Sequence, residues 1–200
     1  EQKCIDYLLL FLVWIVANLT ISMLMPLTSS KLYGQDKILF NATTYILNAV
    51  QNPYVEYVSN IYNMDWNNDN IQEKWTDTIE CLVNVNIYDI PIGKLSPTYN
   101  VFQKRILAFV FPYNYEHSIF VTPLFHKLSN KRKIHTIIHE CTHHAFRAKD
   151  YAYEWEDHYF LLDHNQSVAN ADTHSGLIMA LNSINHTPSG SFISKQTHFS

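Results

Sequence analysis

The stretch from Ile134 to Phe146 constrains this chain more than any other, because it contains His139-Glu140-Cys141-Thr142-His143, a HExxH pattern set in a helical repeat. At 100° per residue, Ile134, Ile137, Ile138, Cys141, Ala145 and Ala148 share one face, and His139 and His143 lie on the other. Such a helix must bury its apolar back while presenting two imidazoles one turn apart. Side chains four residues apart can converge on one ion, and imidazole suits Zn²⁺. Glu140 stands beside them, where a carboxylate can take a proton from water and return it to a leaving amine. His135 and His144 are expected next to the ligands or at the surface, since three histidines on one straight helix span too far for a single ion.

A catalytic zinc keeps three protein ligands and an open fourth position, so the third ligand decides the class. The HExxHxxGxxH arrangement needs Gly and His where this chain has Phe146 and Lys149, which excludes it. A Glu from a following helix is disfavoured, because the last Glu is Glu156. The acidic residues left after His143 are Asp150, Glu154, Glu156, Asp157, Asp163 and Asp172.

Three further segments carry a resemblance. Asp150-Tyr151-Ala152-Tyr153 resembles the DxxY segment of the aspzincins, the group of deuterolysin and peptidyl-Lys metalloendopeptidase. Asn170-Ala171-Asp172 is similar to that family's NAD segment, and Ser118 to Phe125 to its strand ending in Pro-x-Phe before the active-site helix. Together with HExxH these cover roughly residues 100 to 182. The resemblance implies an α+β zincin-like domain, with a helical upper part, a small mainly antiparallel sheet and an active-site HExxH helix. It implies one Zn²⁺ held by His139, His143 and Asp150, Glu140 as general base and acid, and Tyr153 as a donor to the oxyanion. Asp172 is expected to support a ligand histidine, to line the pocket for the substrate residue after the cut, or simply to be a carboxylate on the helix surface. In Lys-specific members an acidic residue three positions beyond this Asp helps to hold lysine; this chain has Ser175, so lysine preference is not expected. Other departures are Arg147-Ala148 for the usual Gly-Thr, Glu154 for a Gly, and His174 for an aromatic residue. On a straight helix Asp150 would lie about 10 Å beyond His143, so the chain must turn after Phe146 although no Gly or Pro marks the turn.

Two hundred residues, 47% hydrophobic, suffice for one domain with a real core. A formal charge of −4 with no long basic stretch argues against nucleic acid as partner. A polypeptide substrate and a monomer are expected. Residues 5 to 25 form the only long apolar run and read as a signal peptide or membrane tether, or alternatively as a buried core helix. The expected layout is residues 1–30 as leader or anchor, 31–184 as catalytic domain and 185–200 as a loose tail, with the enzyme secreted or anchored outside the cytoplasm. Cys81 and Cys141 could pair, but Cys141 on a core face favours buried free thiols.

Helical spacing of Leu39, Phe40, Thr43, Ile46, Leu47 and Val50 predicts a helix from Asp36 to about Gln51. A capping-box pattern, Asn70 to Glu73, predicts a second with Ile71, Trp75, Ile79 and Leu82 inward. The aromatic loop from Tyr54 to Trp66 reads as packing. Residues 83–92, 98–111 and 118–124 read as three or so strands, the last edging the cleft. Lys131, Arg132 and Lys133 read as a solvated first turn, with the metal helix starting near Lys133, and Asn165 to about Ile184 as one closing helix. Two rivals to a peptidase are a zincin-fold binding domain without turnover and a hydrolase of non-peptide amides.

Overall fold

The computed structural model describes residues 30–32, 34–90, 106–111 and 117–184. The apolar run at 5–25 and the tail at 185–200 lie outside them, and among the described residues no helix is long and apolar enough to cross a membrane.

The chain enters through a short strand, β1 (Ser30–Lys31), and three helices follow: α1 (Asp36–Val50), α2 (Val55–Ile61) and α3 (Ile71–Asn84). Strands β2 (Asn86–Asp89), β3 (Ala108–Val110) and β4 (Ser118–Val121) precede a single-turn helix, α4 (Pro123–His126), and the long helix α5 (Asn130–Phe146). A 3₁₀ turn at Tyr159–Leu161 leads to α6 (His164–Ala169) and α7 (Ala171–Ile184). The fold is α+β, as expected.

Helix α5 is the axis of the molecule. Its back, Ile134, Ile137, Ile138 and Cys141, is buried in one core with Trp75 and Leu82 of α3, Ile46 of α1 and Leu177 and Ile178 of α7. Each such aliphatic side chain contributes roughly 1.5–3 kcal/mol by leaving water. On α1 the inward face is Ala42, Ile46 and Ala49, which lets neighbouring helices approach closely; Phe40 and Leu47, expected inside, are exposed.

The four strands run β1-β2-β4-β3. β1 and β3 pair antiparallel with their neighbours, whereas β2 and β4 are parallel, with Asn86 opposite Ser118 and Asp89 opposite Val121. One face, carrying Ile87, Ala108, Ile119 and Val121, packs into the main core. On the other, Phe120 stacks on Tyr88 and Phe109 at 5.6 Å each. The strand expected to edge the cleft, β4, is internal; among the described residues β3 has the edge, because it folds back antiparallel on β4. Thr122 fixes that edge: its hydroxyl donates to Ile106 O at 2.8 Å and accepts from Leu124 N at 3.3 Å, capping α4.

Several local expectations are corrected. Asn70 precedes α3 but sits at φ 54, so its side chain makes no cap hydrogen bond, and the capping box forms instead at Asp163 and Gln166. The loop from Tyr54 contains helix α2; Tyr54 and Tyr57 are exposed, while Trp66 packs edge-on against Trp75 at 5.3 Å. Helix α5 starts at Asn130, because the Ser129 side chain accepts from Arg132 N. Its cations are engaged rather than simply solvated: Lys131 Nζ donates to Ser183 Oγ at 3.0 Å, and Lys133 lies over Phe125.

His174, fully buried in α7, accepts from Trp75 Nε1 at its Nδ1 (3.1 Å) and donates from Nε2 to Val168 O (2.8 Å). That pair of partners requires the neutral ring, and burial lowers its pKa to about 4. Between pH 6.5 and about 4 the unfolded chain binds a proton here that the folded chain refuses, so stability is lost as pH falls through that window. The loss attributable to this residue is roughly 3 kcal/mol at most. His174→Phe removes the titrating group. Chemical denaturation of this variant should show a lower plateau near pH 7.5 but a flatter decline toward pH 4; an unchanged slope would remove His174 from the account.

Candidate metal centre and cleft

The metal-facing side of α5 presents His139 and His143 one turn apart, and the chain then reverses to bring Asp150 back to them. The reversal turns on Arg147, which stands at φ 60 and lets Ala148 N donate back to Thr142 O at 3.4 Å. This is a left-handed helix end, the place where Gly is comfortable and a side chain is strained. It supplies the turn that the sequence requires without marking it.

Beyond the turn, backbone and side chain bind the loop to the start of α7. Lys149 N donates to Ala169 O at 2.7 Å and Ala171 N to Lys149 O at 2.8 Å, a parallel bridge that also splits the single closing helix expected from sequence into α6 and α7. Asn170 completes the clamp. Its Oδ1 accepts from Tyr151 N (2.8 Å) and Ala152 N (3.3 Å), and its Nδ2 donates to Ala152 O (2.9 Å).

Three candidate ligand atoms meet as a result. His139 Nε2 and His143 Nε2 are 3.2 Å apart, and Asp150 Oδ1 is 3.1 Å from the first and 3.3 Å from the second. Ligands about 2.0–2.1 Å from a tetrahedral zinc stand roughly 3.3 Å from one another, so the triangle matches one face of such a site. The remaining ring nitrogens are held from behind: His143 Nδ1 donates to Ala148 O at 2.8 Å, and His139 Nδ1 lies 3.3 Å from Asp172 Oδ1. With Nδ1 carrying the proton, each Nε2 offers its lone pair to the common point. Two imidazoles, one carboxylate and an open side fit a catalytic zinc.

The electrostatics agree. Burial works against the charged form of His139, but Asp150, Asp172 and the Glu140 charge outweigh it and raise its pKa to about 10. Burial likewise opposes Asp150, yet the two histidines hold its carboxyl well below the usual range. An anionic hollow of this kind is balanced by a cation. Glu140 is buried, and desolvation raises its pKa, against the pull of His139 and His143. Desolvation and the charges of Asp150 and Glu140 raise Tyr153, so its phenol keeps its proton at neutral pH.

Glu140, Tyr153 and Asp172 all line one cleft of about 570 Å³, whose floor is Ile106, Leu107 and Ala108 at the β3 edge. Asp172 is 1% exposed and does more than line it: besides His139, its Oδ2 accepts from Glu154 N at 2.5 Å, and Oδ1 lies 3.6 Å from His135 Nε2. His135 therefore sits beside the candidate ligands rather than among them, and Ser175 Oγ meets it at 3.2 Å. His144 faces away, against Ser118 O and the His117 ring.

Sequence reasoning did not anticipate the cleft wall. The Tyr153 ring lies over His139 (5.8 Å) and stacks on Trp155 (4.7 Å, 4°), whose other contact is the Arg132 guanidinium at 5.2 Å. Arg132 also reaches Glu154 at 3.8 Å. The one available signal was the adjacency of Trp155 to the DxxY segment.

The family model described as lysine-specific metallo-endopeptidase, the aspzincin model, matches residues 72–176. The chain belongs to the aspzincin family. It is accordingly a zinc metallopeptidase, and its substrate is polypeptide. Among solved structures, a zinc peptidase from Grifola frondosa is similar over 71% of this chain and 90% of its own, with a TM-score of 0.43 and 14% identity. A comparison with curated proteins finds no match.

Family members' usual Gly at the helix end is Arg147 in this aspzincin, at the left-handed position. Arg147→Gly should relieve about 1 kcal/mol of backbone strain. Thermal denaturation should show a rise of about 2–4 °C; a fall would mean that the arginine side chain stabilises the turn by more than its backbone strains it.

Proposed function

We propose that this aspzincin cleaves peptide bonds with one Zn²⁺ held by His139 Nε2, His143 Nε2 and Asp150, with Glu140 moving the proton and Tyr153 stabilising the oxyanion. The triangle of ligand atoms at 3.1–3.3 Å, with Nδ1 of each histidine tied down behind it, is the observation that carries the reading. Zinc so held supplies a Lewis acid, which makes water acidic near neutral pH and draws electron density from a carbonyl oxygen.

The protein's own groups do the rest. A peptide lies extended along the β3 edge, its backbone pairing with the side of Ala108–Val110 that no strand among the described residues covers. Glu140, beside His139 on α5 and raised above an ordinary carboxyl by burial, takes the proton of the attacking water and delivers it to the departing amine. Tyr153, protonated and braced between His139 and Trp155, donates its hydroxyl to the negative charge that develops on the carbonyl oxygen. Asp172 is a positioning residue: by holding His139 Nδ1 it fixes the ring's tautomer and angle.

The same contacts bear on specificity. The Asp172 carboxylate is engaged by His139, His135 and the Glu154 amide, and Ser175 beside it is neutral, so neither offers a free anion to a lysine ammonium. Cleavage before lysine is not favoured on this reading. The enzyme acts outside the cytoplasm if residues 5–25 lead or tether it there, as their apolar run suggests.

Three measurements test these roles. Asp150→Ala should abolish stoichiometric zinc binding, while Asp172→Ala should keep the metal and lose activity by on the order of 10–100-fold; the reverse pattern would move the site. In a peptide-library digest the wild type should cut without enrichment of lysine after the scissile bond. Glu140→Ala should retain zinc and lose roughly 10²–10⁴-fold in kcat/KM, and Tyr153→Phe roughly 10–10³-fold. Chelator-sensitive cleavage that survives in Glu140→Ala contradicts the assignment of the base.

A further inference from the structure

We infer that Cys81 and Cys141 are a cross-linking site, which closes to a disulfide when the chain folds under oxidising conditions and ties the metal helix to α3. Cys81 lies on the inward face of α3, and Cys141 is the middle residue of the HExxH segment, on the side of α5 turned away from the metal. Both side chains are buried, and helices α3 and α5 pack against each other, with Trp75 and Leu82 of the first and Ile134, Ile137 and Ile138 of the second in one core. The two thiols are free in this structure, with their sulfurs 2.8 Å apart. A bonded pair stands about 2.0 Å apart, so closure asks for a shift of less than ~1 Å.

Chemistry and position agree with a bond made early and then protected. Both sulfurs are buried between the two helices, which shields them from a dissolved disulfide once the helices have docked. Exchange therefore takes place before α3 closes on α5. The oxidant is a small-molecule disulfide such as glutathione disulfide, or a disulfide-exchange catalyst. One cysteine thiolate attacks it and expels a thiolate, giving a mixed disulfide; the second cysteine thiolate then displaces the other half. Two protein thiols lose two electrons and form one S–S bond, the small disulfide gains them and becomes two thiols, and the two cysteine protons end on those thiols.

The consequence falls on the metal helix. The bond closes a loop between positions 60 residues apart, which removes conformational freedom from the unfolded chain. It fixes α5 at Cys141, between the two ligand histidines, without touching the metal-facing side.

The test uses the full chain, refolded in a glutathione redox buffer, denatured with an alkylating agent but no reductant, digested and weighed. The expected result is one linked species joining the Cys81 and Cys141 peptides, unalkylated and lighter by two hydrogens than the two separate peptides. Full alkylation of both residues, or linkage of either to Cys4, overturns the proposal. As a second measurement, a phosphine reductant, with chelator present throughout so that metal loss does not contribute, should lower Tm by on the order of 10 °C. The Cys81→Ala, Cys141→Ala double variant should show no such response. A wild-type Tm indifferent to reductant also overturns it. Neither readout depends on zinc content or proteolysis, so failure here leaves the proposed function standing.

Discussion

The structure depends on one short reversal of the chain. Helix α5 can supply two imidazoles by spacing alone, but a third ligand on the same strand of sequence lies out of reach unless the backbone doubles back within a few residues. Arg147 makes the turn at positive φ, and the bridge of Lys149 to Ala169 and Ala171 sets its direction. The Ala148 carbonyl, exposed by the turn, then accepts from His143 Nδ1. The same few residues thus bring the carboxylate to the site and set the tautomer of a histidine it must meet.

A second carboxylate carries the arrangement outward. Asp172 begins α7, yet its two oxygens connect His139 and His135 on α5 with the Glu154 amide on the loop. Three segments distant in sequence are held in register by one buried side chain, and the Tyr153 hydroxyl inherits its position from that register. Asn170 does the corresponding work for Tyr151 and Ala152. The Asn-Ala-Asp sequence is therefore less a site in its own right than the clasp that closes the ligand loop, which explains why its two polar members flank an alanine that is fully buried.

Much of this was legible from sequence where side-chain identity and periodicity suffice. The apolar back of α5, the convergence of His139 and His143, the inward stripe of α3 and the extent of α1 follow from residue spacing alone. The candidate third ligand did not: the spacing left six acidic residues open, and only resemblance pointed to Asp150, which the structure brings within 3.1–3.3 Å of the two imidazoles. What sequence missed are matters of backbone direction and partner choice. Asn70 spells a capping box, but a left-handed backbone there turns the side chain away. Phe40 and Leu47 fit the helical stripe of α1, but the close approach of α5 and α7 favours the small Ala42 and Ala49 inside. The break at Asn170 and the edge position of β3 come from pairing with distant segments, which no local pattern encodes.

The cleft wall departs from the family pattern beside the candidate metal centre. Where other members have Gly after the tyrosine, this chain has Glu154, whose carboxylate lies 3.8 Å from the Arg132 guanidinium. Arg132 in turn lies on Trp155, and Trp155 on Tyr153, so a row of flat groups runs from the start of α5 to the proposed oxyanion donor. A guanidinium on an indole face contributes about 0.5–1 kcal/mol at an exposed site. That is little for the stability of the whole domain. It bears instead on the orientation of one phenol, because the Tyr153 ring is stacked between Trp155 and His139. Glu154, which departs from the family pattern, thus acts through Arg132 and Trp155 on the proposed oxyanion donor, while the proposed ligand triangle is left to the turn at Arg147.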